Sequence, residues 1–215
     1  MTTLSDILAA LLLLTNLGLL ASSRLAACIR TAALQGVILG LIILTRPPAR
    51  PDAAVVAVAL STVILKGLVL PWLLRRAVRG VGAVREIEPF VGAAASVLIG
   101  AVLFATCVLI AEPLQASAPA GVSPMMIPTA MFTILTGLFV ICSRRKALTQ
   151  VLGYLVMENG VCVFGSALAV EAPLPVELGV LLDVSVAVFV MGIVIFHINR
   201  EFDHIDTDRL SILRD

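Results

Sequence analysis

The sequence predicts an all-α, polytopic integral membrane protein with seven transmembrane helices, and three observations carry that expectation. Hydrophobic residues make up 60% of the 215 and charged residues only 13%. Apolar stretches long enough to cross about 30 Å of hydrocarbon, which takes roughly 20 residues, recur seven times. The basic residues fall almost entirely into alternate connections between those stretches, the asymmetry that sets orientation in a bilayer.

The first stretch, about 4–21, has no Lys or Arg ahead of it and carries Asp6 at its start, which argues against a cleaved signal peptide with a basic leading region. The second, about 25–44, places Gly36 and Gly40 four residues apart, a small-residue pair that lets helices approach closely. The third, about 53–74, follows Pro47 and Pro48, carries Lys66 and is punctuated by Pro71 near its end. The fourth, about 89–111, bears a longer small-residue stripe, Gly92, Ser96 and Gly100. It has no charge before Glu112, so a packing or lipid-facing part is expected.

Pro113, Pro119, Pro124 and Pro128 mark the connection to the fifth stretch, about 125–142. The sixth, about 147–169, contains Glu158, and the seventh, about 176–197, contains Asp183 and His197. The proline-rich connection divides a four-helix N-terminal portion (1–112) from a three-helix portion (125–199), with an outer loop at 113–124 and a cytoplasmic tail at 200–215. The loops at 75–88 and 112–124 are too short to bury a core of their own.

Twelve of the fifteen basic residues sort to one side: Arg24 and Arg30, the loop set Arg75, Arg76, Arg79 and Arg85, the turn Arg144, Arg145 and Lys146, and Arg200, Arg209 and Arg214 in the tail. The other side receives Arg46 and Arg50, with Glu112, Glu171 and Glu177. An odd number of spans then puts the N-terminus outside and the C-terminus in the cytoplasm of a bacterial or archaeal cell with a multi-pass inner-membrane protein. The loop at 75–88 and the tail anchor at that surface, on anionic lipid or on partners.

This orientation fixes depths. Glu158 lies eleven residues beyond Ala147, about 16 Å into the bilayer and close to its midplane. A charge there costs roughly 3 kcal/mol on insertion scales, so the residue should face protein, water or a cation. Lys66, on a span running the other way, comes within axial reach of it. Burial disfavours a carboxylate and a nearby ammonium favours it, so a titrating or movable Lys66 would control the protonation of Glu158.

A static Lys66–Glu158 pair would satisfy both charges without any transport, and Lys66 could instead snorkel. Asp183 is a secondary proton-relay candidate or a group that meets outer water. His197 has a pKa suited to exchanging protons at the cytoplasmic surface, or is an interfacial anchor. Few polar residues are singled out near these charges: Asn159 and Gln150 on the span of Glu158, and Asn16, Gln35 and Thr62 on others, the last a turn from Lys66.

The four cysteines fall singly in predicted spans, and no spacing suggests a disulfide framework or a metal site. There is no CxxC cluster set, haem pattern, phosphate loop or nucleophile constellation, so no catalysis, cofactor or nucleic-acid partner is expected of the chain alone. A free-standing carrier would show an internal repeat or broken helices around a midplane site, and neither is evident.

The run Arg144-Arg-Lys-Ala-Leu-Thr-Gln-Val-Leu-Gly-Tyr-Leu-Val-Met-Glu-Asn-Gly160 resembles the basic turn and second helix of the K-type subunit of respiratory complex I and of the C-type subunit of Mrp antiporters. The end of the last span, His197-Ile-Asn-Arg, with Ile205-Asp206 beyond it, is similar as well. With four helices ahead of that module, the whole chain resembles hydrogenase-4 component E, the E-type membrane subunit of group 4 [NiFe]-hydrogenases.

The resemblance implies a non-catalytic subunit of a hydrogenase or formate hydrogenlyase-type complex, beside antiporter-like membrane subunits and, indirectly, a soluble hydrogenase-type arm. It also implies a part in proton translocation driven by redox chemistry in those partners. Leu155 aligns with the K-type glutamate of the hydrophilic axis, and Glu158 follows three residues later, rotated by about 60° and displaced by about 4.5 Å. The third-helix acid of the family matches Asp183 with a small offset. A purely structural scaffold and an Mrp-like cation/proton antiporter component are the other two readings.

Overall fold

The computed structural model describes residues 2–45, 53–80, 91–115, 122–144 and 147–168, together with the single positions 118 and 192. Among them the chain is entirely helical apart from turns and extended caps: α1 (Thr2–Ala21), α2 (Leu25–Leu44), α3 (Ala53–Thr62), a π segment (Val63–Val69), α4 (Leu70–Gly80), α5 (Ala93–Gln115), α6 (Met126–Ser143) and α7 (Ala147–Leu168). Six of the resulting spans are long and apolar enough to cross a membrane, with α3, the π segment and α4 forming one of them. The seventh predicted stretch, with Asp183 and His197, lies outside the described residues, as do Arg46, Arg50, Arg85 and the tail.

Two boundaries differ from the sequence reading. The third span continues to Gly80, so positions 75, 76 and 79, expected in a loop, are helical. Nothing between Trp72 and Arg79 breaks a helix, and the Arg76 guanidinium sits 5.9 Å from the centre of the Trp72 ring one turn back, a cation–π contact that favours continuation. The fourth span runs through Pro113, which was expected in the connection. Pro113 forfeits the bond to the Leu109 carbonyl, and the helix ends two residues later at Gln115. Pro128 likewise falls in the first turn of α6, where amide N–H groups have no intrahelical partner to lose.

The spans alternate in direction. One apolar cluster gathers Leu19 at the end of α1, Leu25 and Ile29 at the start of α2, Leu70 and Leu74 in α4, and Leu148 and Leu152 at the start of α7. A second gathers the opposite ends: Leu8 and Leu12, Leu39 and Ile42, Ala111, Met126 and Ile127, and Val163. Side-chain ties close both ends. Ser123 donates to the Asp6 carboxylate at one, and Arg144 Nη2 donates to the Ser22 carbonyl at 3.4 Å at the other.

Arg144, expected in the basic turn after the fifth span, is 4% exposed. Desolvation draws its guanidinium pKa below the ordinary value. Arginine stays protonated near neutrality nonetheless, so the residue plugs the bundle end as a charge. The third span and α5 lie at the periphery. Leu60, Ile64, Leu68 and Trp72 on one, and Leu98, Val102 and Leu109 on the other, are exposed apolar residues at helical spacing.

Candidate functional site

Lys66 stands in the π segment, where wider turns replace the regular four-residue ladder and the Leu70 N–H donates to Leu65, five residues back. Pro71 follows directly. In a regular helix its ring would crowd the Gly67 carbonyl, and the widened turns relax that crowding. The segment lies hard against α2. A Cβ at Gly36 would stand 2.7 Å from the Lys66 carbonyl carbon, and one at Gly40 would enter the Val63 side chain and lie 3.0 Å from the Ala59 oxygen. The two glycines of α2 therefore seat the lysine-bearing backbone, which fixes the height and angle at which its side chain leaves.

Lys66 Nζ donates to Glu158 Oε1 at 2.7 Å, and the two side chains are 5% and 0% exposed. Cys162 Sγ, one turn beyond the glutamate, lies 3.8 Å from the same ammonium. At this distance and burial the attraction is strong, but so is the cost of desolvating both ions. Arg24, Arg30, Arg75 and Arg76 lie towards the end of the bundle that holds Leu19 and Leu74. In that direction from the pair a small cavity, with about 10 Å³ open to the centre of a water molecule, is lined by Lys66, Asn159, Ile29, Leu70, Leu74 and Leu155. That is room for about one water.

The glutamate is positioned by α7, which packs on α6 through backbone contact. A Cβ at Gly153 would meet the Gly137 oxygen at 2.8 Å and the Ile141 nitrogen at 2.9 Å, and one at Gly160 would meet the Ile134 nitrogen at 2.6 Å. Glu158 falls between these two touching points. The sequence reading singled out Gly36, Gly40, Gly92, Ser96 and Gly100 and passed over Gly137 on α6 and Gly153 and Gly160 on α7, although the last two stand seven residues apart. Of the α5 stripe, Gly92 faces open space, Ser96 is buried and Gly100 meets Leu20 of α1.

A second polar cluster joins α1, α2 and α6. Gln35 Nε2 donates to Asn16 Oδ1 at 2.8 Å and to Thr15 Oγ1 at 3.1 Å, and Asn16 Nδ2 donates to Thr133 Oγ1 at 2.8 Å. Thr15 and Thr133 spend their own protons on the carbonyls of Leu12 and Thr129. Asn16, Gln35 and Thr133 are all fully buried. Asn16 and Gln35 were noted in the sequence. The α6 threonines were not, although Thr129, Thr133 and Thr136 recur at the spacing of one helix face. Thr62, expected to share a face with Lys66, donates its hydroxyl to the Val58 carbonyl four residues back at 2.8 Å.

Asn16→Leu is expected to destabilise the subunit by roughly 1–2 kcal/mol, since interhelical hydrogen bonds in membranes are individually modest and two partners lose theirs together. Thermal unfolding of the detergent-solubilised protein reads this. A midpoint equal to wild type would mean the cluster holds nothing together.

The fold and site define a class: a polytopic helical membrane protein that closes an acid–base pair into its middle, between two apolar halves. Residues 125–215 match the family model of NADH-ubiquinone/plastoquinone oxidoreductase chain 4L. An uncharacterized protein of Mycobacterium tuberculosis is 40% identical over 192 residues, covering 89% of this chain and 87% of that one. Hydrogenase-4 component E of Escherichia coli K12 is 30% identical over 154 residues, covering 72% of this chain and 71% of its own length, and the Shigella flexneri protein of that name matches equally. No solved structure matches.

The chain belongs to the hydrogenase-4 component E family, and its C-terminal part is similar to chain 4L of the quinone oxidoreductases. The chain 4L match begins at α6. It takes in Glu158 and the threonine face, and leaves out Lys66, Asn16 and Gln35.

Proposed function

We propose that this protein is a non-catalytic membrane-arm subunit of a complex I-like group 4 hydrogenase or formate hydrogenlyase-type complex, in which the Lys66–Glu158 pair serves proton translocation driven by partner subunits. The observation that carries the proposal is the pair itself, an ammonium and a carboxylate 2.7 Å apart and shut off from solvent in the middle of the bundle. A proton moved from the ammonium to the carboxylate turns the ion pair into two neutral groups with no change in net charge, and either group can then pass a proton on. A lone buried charge could not be discharged in this way.

In this reading the chain crosses the inner membrane seven times, with its N-terminus outside and its C-terminus in the cytoplasm. The 125–199 portion forms the three-helix module behind the 113–124 connection, and Asp183 and His197 on the last span extend the path towards the two surfaces. The one-water cavity under Lys66 lies on the side the basic residues mark as cytoplasmic. Antiporter-like subunits flank the chain in the membrane, and hydrogen chemistry stays in a soluble arm.

The deciding experiment is proton uptake by sealed vesicles holding the intact complex, comparing wild type with Glu158→Gln while assembly and hydrogen turnover are followed in the same preparations. Loss of uptake in an assembled, redox-competent complex is the expected result. Unchanged uptake would leave the pair a structural clamp, as its tight geometry alone would allow, and uptake driven by a cation gradient without hydrogen turnover would favour an Mrp-like antiporter role.

A further inference from the structure

A groove opens on the outside of the bundle between α2 and the third span. Ala33, Gly67, Leu68, Pro71, Trp72 and Arg75 line it, and about 500 Å³ of it is open to the centre of a water molecule. That volume falls within the ~300–1,000 Å³ of sites that take small-molecule ligands. The floor is low because two small residues meet there: a Cβ at Gly67 would stand 3.2 Å from Val37 and 3.7 Å from the Ala33 oxygen. Leu68 and Trp72, four residues apart, form a wall and are 64% and 59% exposed.

One end of the groove is charged. Eight residues separate Gly67 from Arg75, about 12 Å along the helix, so the groove runs from the level of the ion pair towards the membrane surface. Arg75 lines that end. Arg30, three residues before Ala33, lies one turn nearer the same end on α2. Both arginines are exposed, and neither is in an ion pair with a described residue. The cation–π contact with Arg76 holds the Trp72 indole in place. Among the described residues this end of the bundle holds Arg24, Arg30, Arg75, Arg76 and Arg144 and no Asp or Glu. Asp6 and Glu112 stand at the opposite end, and Glu158 faces Lys66.

An occupant that matches this surface is apolar along the groove and anionic at one end. Basic pockets between membrane helices take anionic lipid headgroups, the guanidinium fork suits phosphate, and tryptophan sits at headgroup level. We propose that the groove is a binding site for one anionic phospholipid, with its headgroup phosphate on Arg75 and Arg30 and an acyl chain over Gly67 between Ala33 and Trp72. The lipid covers the outer face of the π segment that presents Lys66 to Glu158. The site stands whether or not that pair moves protons.

Trp72 is the single tryptophan of the chain, so its fluorescence reports the groove directly. The full-length chain is reconstituted into phosphatidylcholine vesicles in which a small fraction of lipid carries brominated tails, either as phosphatidylglycerol or as phosphatidylcholine. Half-quenching of Trp72 is expected at a several-fold lower mole fraction of the brominated phosphatidylglycerol. Arg30→Gln combined with Arg75→Gln should bring the two lipids to the same value. Ala33→Phe, which fills the groove and leaves both arginines, should do so as well. A preference that survives Ala33→Phe marks general attraction to a basic surface, and one that survives the arginine changes removes the headgroup contact; either overturns the proposal. Equal quenching by the two lipids in the wild type overturns it too, without requiring any variant to fold. So does quenching by neither, which would mean that a second copy of the chain covers Trp72.

Discussion

Lys66→Met is expected to lower the stability of the assembled subunit by about 3–5 kcal/mol, the usual loss when one partner of a buried pair is removed and the other charge is left behind. Glu158 is fully buried and its nearest cation is the Lys66 ammonium at 2.7 Å. Methionine nearly preserves the length of the lysine stem, so little packing is lost and the effect reports the charge. Lys66→Met with Glu158→Met should recover much of the loss, because a buried pair replaced by apolar residues of similar size is often neutral. Thermal unfolding of the purified complex and the steady-state level of the subunit both read this difference. A double variant as unstable as the single one would assign the effect to packing and sink the electrostatic account.

Gly153→Val should have an effect of the same order by a different route. Its Cβ would come within 2.9 Å of backbone atoms on α6, and backbone cannot swing aside as a flexible side-chain end can. The helices must separate, at or above the ~1–3 kcal/mol of ordinary core overpacking. Separation also displaces α7, which carries Glu158, so stability and proton uptake should fall together. Gly18→Ala is the matched control. Nothing lies within 4 Å of its added Cβ, and alanine in a helix gains about 1 kcal/mol over glycine. Equal losses in both variants, measured by thermal unfolding, would mean that helix propensity and general tolerance, and not the α6–α7 contact, set the outcome.

Much of this was legible in the residues, for reasons that differ by element. Hydropathy located α1, α2, α6 and α7 to within a few residues, because each is bounded by a polar turn and spans one bilayer's length. It stopped the third span too early, since arginines read as a loop although nothing among them opposes helix. Charge in an apolar run exposed Lys66 and Glu158, and counting rise per residue brought them to neighbouring depths. That they meet was not legible, because rotation about a helix axis depends on packing, and here it also depends on a π segment that propensities do not announce. The cluster of Asn16, Gln35 and Thr133 was scattered over three spans for the same reason. Only contact between the helices turns three separate polar residues into one chain of hydrogen bonds.

The ion pair straddles the border of the chain 4L resemblance, with its acid inside and its base outside. A piece made of α6 and α7 alone would carry Glu158 into the bilayer with no Lys66 to meet it, and would have to find a cation elsewhere. The four helices ahead of the module remove that dependence. They act as a neighbour supplied by the same gene, delivered in one-to-one ratio and already tethered, so the charge is matched as the chain folds and does not wait for a subunit to arrive.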